Sequence, residues 1–311
     1  MNHRRQNFHT FLLLLTAFLW GTTFVAQRTG AELVGPFTFL AMRSWIAVLF
    51  LTPVIPLMDR LYARRGMADR KPRSGPDRLL LLKGGILCGM MLGAASAAQQ
   101  IGIGYTSASK AGFITSLYVV LVPVLSIFLR RQPSPRVWVG VLLALIGLYL
   151  LCMKADRFSL AYGDAWVLLC TLFFAVQILL LDRYSPLVDA VRLSRVQFLV
   201  VALLSTVLML LTEHPDSGAF VSALPSILYA GVFSSGIAYT LQIIGQDGVN
   251  PSVASLVMSL ESVFSAFAGW LVLHERLTVR ELIGAALMFA AVLLTHLMPP
   301  SEPRESRGRP V

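Results

Sequence analysis

Gln99-Gln100-Ile101-Gly102 returns 143 residues later as Gln242-Ile243-Ile244-Gly245, and both copies lie inside long apolar runs. Outward from this pair the correspondence continues. Gly140 opens one apolar run and Gly284 opens another. Ser134-Pro135, an N-cap followed by proline at the first helical position, matches Thr278-x-x-Glu281, a capping box. Asn250-Pro251 matches Ser107-Ala108 at the start of another run. A helix bundle duplicated within a bilayer is the construction of many secondary transporters, with the substrate site between the repeats.

Composition supports a lipid solvent. Of the 311 residues, 56% are hydrophobic and 14% charged, with mean hydropathy +0.71; a typical globular domain carries about 25% charged residues. Such a chain has too little polar surface to face water on all sides. The net charge of +10 does not indicate nucleic acid, because the basic residues sit in short connections between apolar runs, where anionic lipid headgroups are the simpler partner. Cys88, Cys152 and Cys170 lie inside or at the ends of apolar runs without CxxC spacing and read as small buried hydrophobes. The five histidines are scattered over termini and helix ends, so neither a metal site nor a cofactor is expected. Arg4 and Arg5 ahead of Phe11–Leu15 resemble a signal peptide, but the run continues to Ala26 and further spans follow, which favours a first membrane span.

Ten spans are expected: 11–27, 36–58, 79–101, 108–129, 137–153, 162–181, 193–212, 222–243, 252–273 and 279–298. Most reach the roughly 20 residues a helix needs to cross the hydrocarbon core. With the N-terminus inside, 18 of the 26 lysines and arginines fall on the cytoplasmic side, five fall outside, and Arg43, Lys83 and Lys110 lie within spans. That bias places both termini in the cytoplasm. Five spans per half then make the halves run in opposite senses. The expected fold is an all-α polytopic membrane protein of ten transmembrane helices in two inverted five-helix repeats. Segment 59–78, with seven basic and three acidic residues, reads as a cytoplasmic connector, and the Pro/Arg/Ser-rich tail 299–311 as disordered.

Several short motifs resemble a known family. Trp20-Gly21-Thr22-Thr23-Phe24-Val25 is similar to its span-one start, and Arg43 stands at its span-two arginine. Tyr105-Thr106-Ser107-Ala108-Ser109-Lys110-Ala111-Gly112-Phe113 resembles its span-four opening. Leu260-Glu261-Ser262-Val263 and His274-Glu275-Arg276-Leu277-Thr278 resemble its span-nine motifs. The family is the EamA-type branch of the drug/metabolite transporter superfamily, and the resemblance covers 11–297, as repeats 11–153 and 161–297. It implies a central cavity between inverted repeats, insertion in the cytoplasmic membrane, and export of metabolites or amino acids. Ser262 replaces the family's proline after Glu261, which removes the expected cause of a kink there. Arg130-Arg131-Gln132-Pro133 replaces the carboxylate-bearing element of the first repeat.

The residues that could carry chemistry are polar groups at membrane depth. An ionised Glu261 near the middle of span nine costs roughly 2.5–3.5 kcal/mol on insertion scales, so it faces a wet cavity, pairs with a cation or holds a proton. It is the candidate for coupling to protons, against a purely structural hydrogen bond between helices. Arg43 lies about 6 Å by helical rise from the centre of span two. It either neutralises Glu261, receives a substrate carboxylate, or snorkels. Lys110, in the first turn of span four, is a snorkelling or gating residue. Trp20 at the midplane of span one, with Tyr118 and Tyr239, forms cavity wall or interior packing. Gln99, Gln100, Gln177, Gln197 and Gln242 are intramembrane amides that bond between helices or line the cavity. Gly85, Gly89, Gly93 and Ala97 form a small-residue stripe that admits a close neighbour, and Ser96 and Gln100 share its face. Pro123 frees the carbonyl of Val119 and is the candidate hinge.

A secondary carrier for a small polar or zwitterionic metabolite accounts for this pattern. An intramembrane enzyme would need paired catalytic groups or metal ligands at depth, and the sequence has no HExxH, no DDxxD and a single central carboxylate. A channel or a non-transporting membrane partner is the alternative, but no repeated filter or ring of charges supports a pore. No ATP-binding loop occurs.

Overall fold

The computed structural model describes residues 3–64, 75–106, 108–152, 162–214, 217–272 and 277–296. Lys110, His296 and a few other residues lie in helices, but their side chains fall outside that description. The described residues are helical, with no strand. In chain order the helices are α1 (His3–Leu33), α2 (Pro36–Arg64), α3 (Gly75–Ile103), α4 (Ala108–Ser116), α5 (Tyr118–Phe128), α6 (Pro135–Cys152), α7 (Tyr162–Tyr184), α8 (Ala190–Thr212) and α9 (Ser217–Tyr229). A π-helical segment, Ala230–Ala238, runs on into α10 (Tyr239–Gln246), and α11 (Pro251–Met258), α12 (Glu261–Val272) and α13 (Val279–His296) follow.

Nine segments of the described residues are long and apolar enough to cross a membrane, where ten crossings were expected. The expected tenth, 279–298, corresponds to α13, and its last two residues lie outside the described residues. So do the tail 299–311, the middle of the 59–78 connector and His274-Glu275-Arg276. Large apolar side chains cover the outside of the bundle, among them Leu49, Phe128, Leu210, Leu211 and Leu271. A protein in water would not leave such a belt uncovered.

Local chemistry sets the helix ends. Asn250 caps α11, accepting from the amide of Ser252 at 2.9 Å, with Pro251 in the first turn. Asp189 caps α8 by accepting from the Arg192 amide at 2.8 Å. At α13 the expected capping box forms. The Thr278 amide donates to Glu281 Oε2 at 2.6 Å, and the Glu281 amide returns to Thr278 Oγ1 at 3.3 Å.

Two spans are interrupted in mid-course, and neither break sits on a proline. The first divides α4 from α5 at Leu117, whose amide bonds to the Ile114 carbonyl at 3.1 Å. The second divides α11 from α12 at Ser259-Leu260, where the Leu260 amide bonds to the Val257 carbonyl at 3.2 Å. Both are tightened i→i+3 turns. Pro123, the expected hinge, lies inside the continuous α5, after the break at Leu117. The second break forms although Ser262 has replaced proline.

Glycines hold the helices together at close range. A Cβ on Gly147 would lie 2.7 Å from the carbonyl of Gly284, and one on Gly284 would lie 2.6 Å from that of Gly147, so α6 and α13 touch backbone to backbone. A Cβ on Gly102 would lie 2.9 Å from the Gly163 carbonyl, joining α3 to α7. One on Gly245 would lie 3.1 Å from the His9 carbonyl, joining α10 to α1. The expected stripe on α3 packs as its small residues imply: Gly85 and Gly89 face Val196, Gln197 and Val200 of α8. α2 runs antiparallel to α8. Asp59 near the end of α2 accepts from Arg192 in the first turn of α8 at 2.8 Å. Glu213, just past α8, accepts from the Phe37 and Thr38 amides in the first turn of α2 at 2.8 and 2.7 Å.

Candidate functional site

The helices leave a central cavity, lined by elements from both ends of the chain. On α1, Trp20, Phe24 and Gln27 follow helical spacing and line one wall. Arg43 enters from α2 and Gln99 from α3. Thr115 and Tyr118 flank the break at Leu117, and Glu261 follows directly on the break at Leu260. Phe174, Gln177 and Ile178 of α7 line the opposite wall, with Ser234 of the π segment and Tyr239 and Gln242 of α10.

Seven of the expected residues therefore meet at one cavity: Trp20, Arg43, Gln99, Tyr118, Tyr239, Gln242 and Glu261. Gln100 is buried, with neither amide atom partnered, but does not line the cavity. Pro123 is buried in α5 away from it, and the side chain of Lys110 is outside the described residues. Phe24, Gln27, Thr115, Phe174, Ile178 and Ser234 were not singled out from sequence. Their polarity or size is ordinary for a membrane helix, and only the packing decides which face turns inward. Gln177, one of the amides expected to bond between helices or line the cavity, does both.

Bonds inside the cavity tie the two ends of the chain together. The Tyr118 hydroxyl donates to Glu261 Oε1 at 3.1 Å, and the hydroxyls of Ser116 and Ser262 share a hydrogen bond of 2.7 Å alongside. Gln99 Nε2 donates to Thr115 Oγ1 at 3.2 Å. An amide chain crosses the far wall: Gln242 Nε2 donates to Gln177 Oε1 at 3.4 Å, and Gln177 Nε2 donates to Gln197 Oε1 at 3.3 Å. The Trp20 ring lies against Tyr239, centroids 4.7 Å apart, and Tyr239 meets Phe198 edge-on at 5.2 Å.

Arg43 is 3% exposed and Glu261 4%. Among the described residues no ion pair joins them; the Arg43 guanidinium lies over the Phe39 ring at 5.9 Å, within cation–π range. A cationic and a carboxyl group thus border one chamber without neutralising each other. Four buried polar atoms of lining residues have no hydrogen-bond partner within the protein: Trp20 Nε1, Gln27 Oε1, Arg43 Nε and Gln242 Oε1. Each such atom costs about 1–3 kcal/mol if it stays unpaired. Four around a single chamber fit a site whose occupant supplies the missing partners. No group of three or more metal-ligating side chains occurs among the described residues.

Comparison with known proteins agrees with this architecture. The model of the EamA-like transporter family matches twice, over residues 7–153 and 161–297. An uncharacterized transporter of Archaeoglobus fulgidus is 30% identical over 92% of this chain and 84% of its own length. The uncharacterized transporter YoaV of Bacillus subtilis is 21% identical over 91% of this chain and 94% of its own. A chloroplastic WAT1-related protein of Arabidopsis thaliana is 24% identical over 92% of this chain and 68% of its own. A solved crystal structure superposes with a TM-score of 0.72 at 20% identity, covering 93% of this chain and 98% of the other, which establishes the shared fold. With ranges that together take in nearly the whole chain and a 30% identical transporter as relative, this integral membrane protein belongs to the EamA-like transporter family of the drug/metabolite transporter superfamily.

Proposed function

We propose that the chain is a secondary carrier that exports a small polar metabolite across the cytoplasmic membrane by alternating access. Its two inverted five-helix halves, 11–153 and 161–297, rock about the central cavity, with both termini in the cytoplasm. The observation that carries this reading is the cavity itself: a chamber at the meeting point of two broken spans, bordered by Arg43, Glu261 and unpartnered polar atoms. Broken helices that expose polar groups at mid-depth are how many carriers build a solute site.

Packing supports the inverted halves. Gly102 against Gly163 and Val167 has a counterpart in Gly245 against His9 and Leu13. Gly140 against Ala291 has one in Gly284 against Gly147. Asp59 and Glu213 occupy equivalent places, each closing on the first turn of the facing helix. These two closures sit at opposite ends of the α2–α8 contact, as inner and outer gates would. Glu261 is the proposed proton-coupling group, through its bond to Tyr118. The unneutralised pair of Arg43 and Glu261 favours a zwitterionic solute.

Counterflow in reconstituted vesicles tests the proposal. Vesicles preloaded with single unlabelled amino acids and small organic acids are diluted into the labelled compound. A carrier transiently accumulates label for at least one preload, and its rate saturates. Flux that rises linearly with concentration, without accumulation, identifies a channel and overturns the proposal. No flux for any preload points instead to a non-transporting membrane protein.

A further inference from the structure

α3 and the π segment make the same glycine contact with two different helices, but with different spacing. On α3 the contact uses Gly89 and Gly93, four residues apart. A Cβ on Gly89 would meet the Gln197 carbonyl and Val200 Cβ, both at 2.8 Å, and one on Gly93 would touch Leu204 at 3.6 Å. In the second instance the glycines are Gly231 and Gly236, five residues apart. A Cβ on Gly231 would meet the Arg43 carbonyl at 3.0 Å and Ile46 Cβ at 2.7 Å, and one on Gly236 would meet Phe50 at 2.7 Å. The facing residues are spaced alike: Gln197, Val200 and Leu204 on α8, Arg43, Ile46 and Phe50 on α2. One extra residue therefore lies between the second pair of glycines without displacing either from its partner. A π-helical turn, bonded i→i+5, is the backbone form that absorbs one residue inside a continuing helix, and such turns are frequent at functional sites. Beyond it Gln99 and Gln242 are in step again.

The interval differs in chemistry as well as length. On α3 it holds Met90, Met91 and Leu92; in the π segment it holds Val232, Phe233, Ser234 and Ser235. Ser234 lines the cavity, and the buried Ser235 Oγ has no hydrogen-bond partner within the protein. Arg43, whose carbonyl abuts Gly231, lines the same cavity with its Nε unpartnered. We infer that the inserted residue turns Ser234 toward the chamber, where its hydroxyl and the Arg43 guanidinium form the site for an oxyanion of the solute. This assignment deepens the carrier reading and rests on it for the solute's identity, but not for the site's geometry. A guanidinium supplies two directed donors to a carboxylate-like group, and a neighbouring hydroxyl adds a third.

The test is thiol labelling of S234C in reconstituted vesicles, with unmodified protein as the blank for the native cysteines. The probes are an anionic sulfonatoethyl and a cationic trimethylammonium-ethyl methanethiosulfonate, each rate divided by its rate with a free small thiol. A cation focused in a low-dielectric cleft raises local anion concentration about tenfold or more, so the anionic reagent is expected to lead by about that factor, and R43Q to erase the lead. Deleting Val232 restores the four-residue spacing and is expected to slow labelling of S234C roughly tenfold through the helical rotation. If the deletion prevents folding, the R43Q comparison still decides. Equal normalised rates for the two reagents, a charge preference that survives R43Q, or failure of both reagents to label overturns the site. Charge-selective labelling without counterflow would keep the site and sink the carrier reading; counterflow without it would do the reverse.

Discussion

The Tyr118 hydroxyl donates to Glu261 Oε1 across the cavity at 3.1 Å, and the two residues stand 143 apart, the same displacement that relates Gln99 to Gln242. Each follows directly on the break in its span, and the bonds that close the breaks, Leu117 to Ile114 and Leu260 to Val257, are displaced by 143 as well. The carboxyl group is therefore bonded to the residue that this 143-residue displacement makes its counterpart.

That placement gives the first prediction. In vesicles under an outside-acid gradient, export by the unaltered protein is accelerated, and Glu261→Gln loses the acceleration while retaining counterflow, because the amide keeps the shape but carries no exchangeable charge. Tyr118→Phe removes one hydrogen bond, worth about 1 kcal/mol, so it changes the rate about fivefold and leaves the response to the gradient. An undiminished gradient response in Glu261→Gln assigns the coupling elsewhere.

Glycine substitutions separate close contact from mere smallness. A Cβ on Gly284 runs into the backbone of α6, whereas one on Gly93 meets its neighbours at 3.6 Å and beyond, ordinary van der Waals distance. Gly284→Ala is expected to cost roughly 1–3 kcal/mol as overpacking. Gly93→Ala is expected to be neutral, or to gain up to about 1 kcal/mol from reduced backbone freedom in the unfolded chain. Thermal unfolding of the purified proteins in detergent distinguishes the two; equal melting temperatures would contradict the α6–α13 contact.

Much of this was legible in the sequence, and the rest was hidden for physical reasons. Hydropathy locates spans because the bilayer demands about 20 apolar residues, and the caps at Asn250 and Thr278 mark their starts. Glu261 and Arg43 stood out because charge at depth is rare. The breaks at Leu117 and Leu260 left no mark, since neither carries glycine or proline, and Pro123 lies within α5 beyond the first of them. Gln177 and Thr115 could not be assigned to a wall without knowing which neighbours each helix has. The π segment is invisible in one copy and emerges only when the Gly231 and Gly236 contacts are laid beside those of Gly89 and Gly93.

The amide chain on the far wall predicts non-additivity. Gln177 donates to Gln197 and accepts from Gln242, so Gln177→Leu strands two buried amides and is expected to cost about 1–3 kcal/mol. Adding Gln197→Leu to that variant removes a stranded group, and the double variant is expected to be less destabilised than the sum of the singles. A double-mutant cycle on unfolding in detergent measures this coupling; strict additivity would mean the amides do not act as a chain.

The closures at the two ends of α2 and α8 provide the test of alternating access. Gly35 precedes α2 and has no side chain to cap it; a Cβ there would collide with the Glu213 carboxylate that performs the capping instead. Thr38 Oγ1 adds a third bond to Glu213 at 2.6 Å. The far end is held by Arg192, shared between Asp59 and the cap residue Asp189. Glu213→Ala removes a cap worth about 1 kcal/mol at one end only, and Arg192→Ala loosens the other. Both ends are closed in this structure, and an alternating carrier opens one end only while the other stays closed, so the variants are expected to shift its populations in opposite directions, about fivefold each by that energy. Spin labels at Leu33 and Leu211 report on the first end, and labels at Leu57 and Leu187 on the second; all four side chains are exposed. Glu213→Ala is expected to enrich long distances in the first pair and short ones in the second, and Arg192→Ala the reverse. Lengthening of both pairs by either variant would mean that α2 and α8 separate as a whole, which is incompatible with gates that alternate.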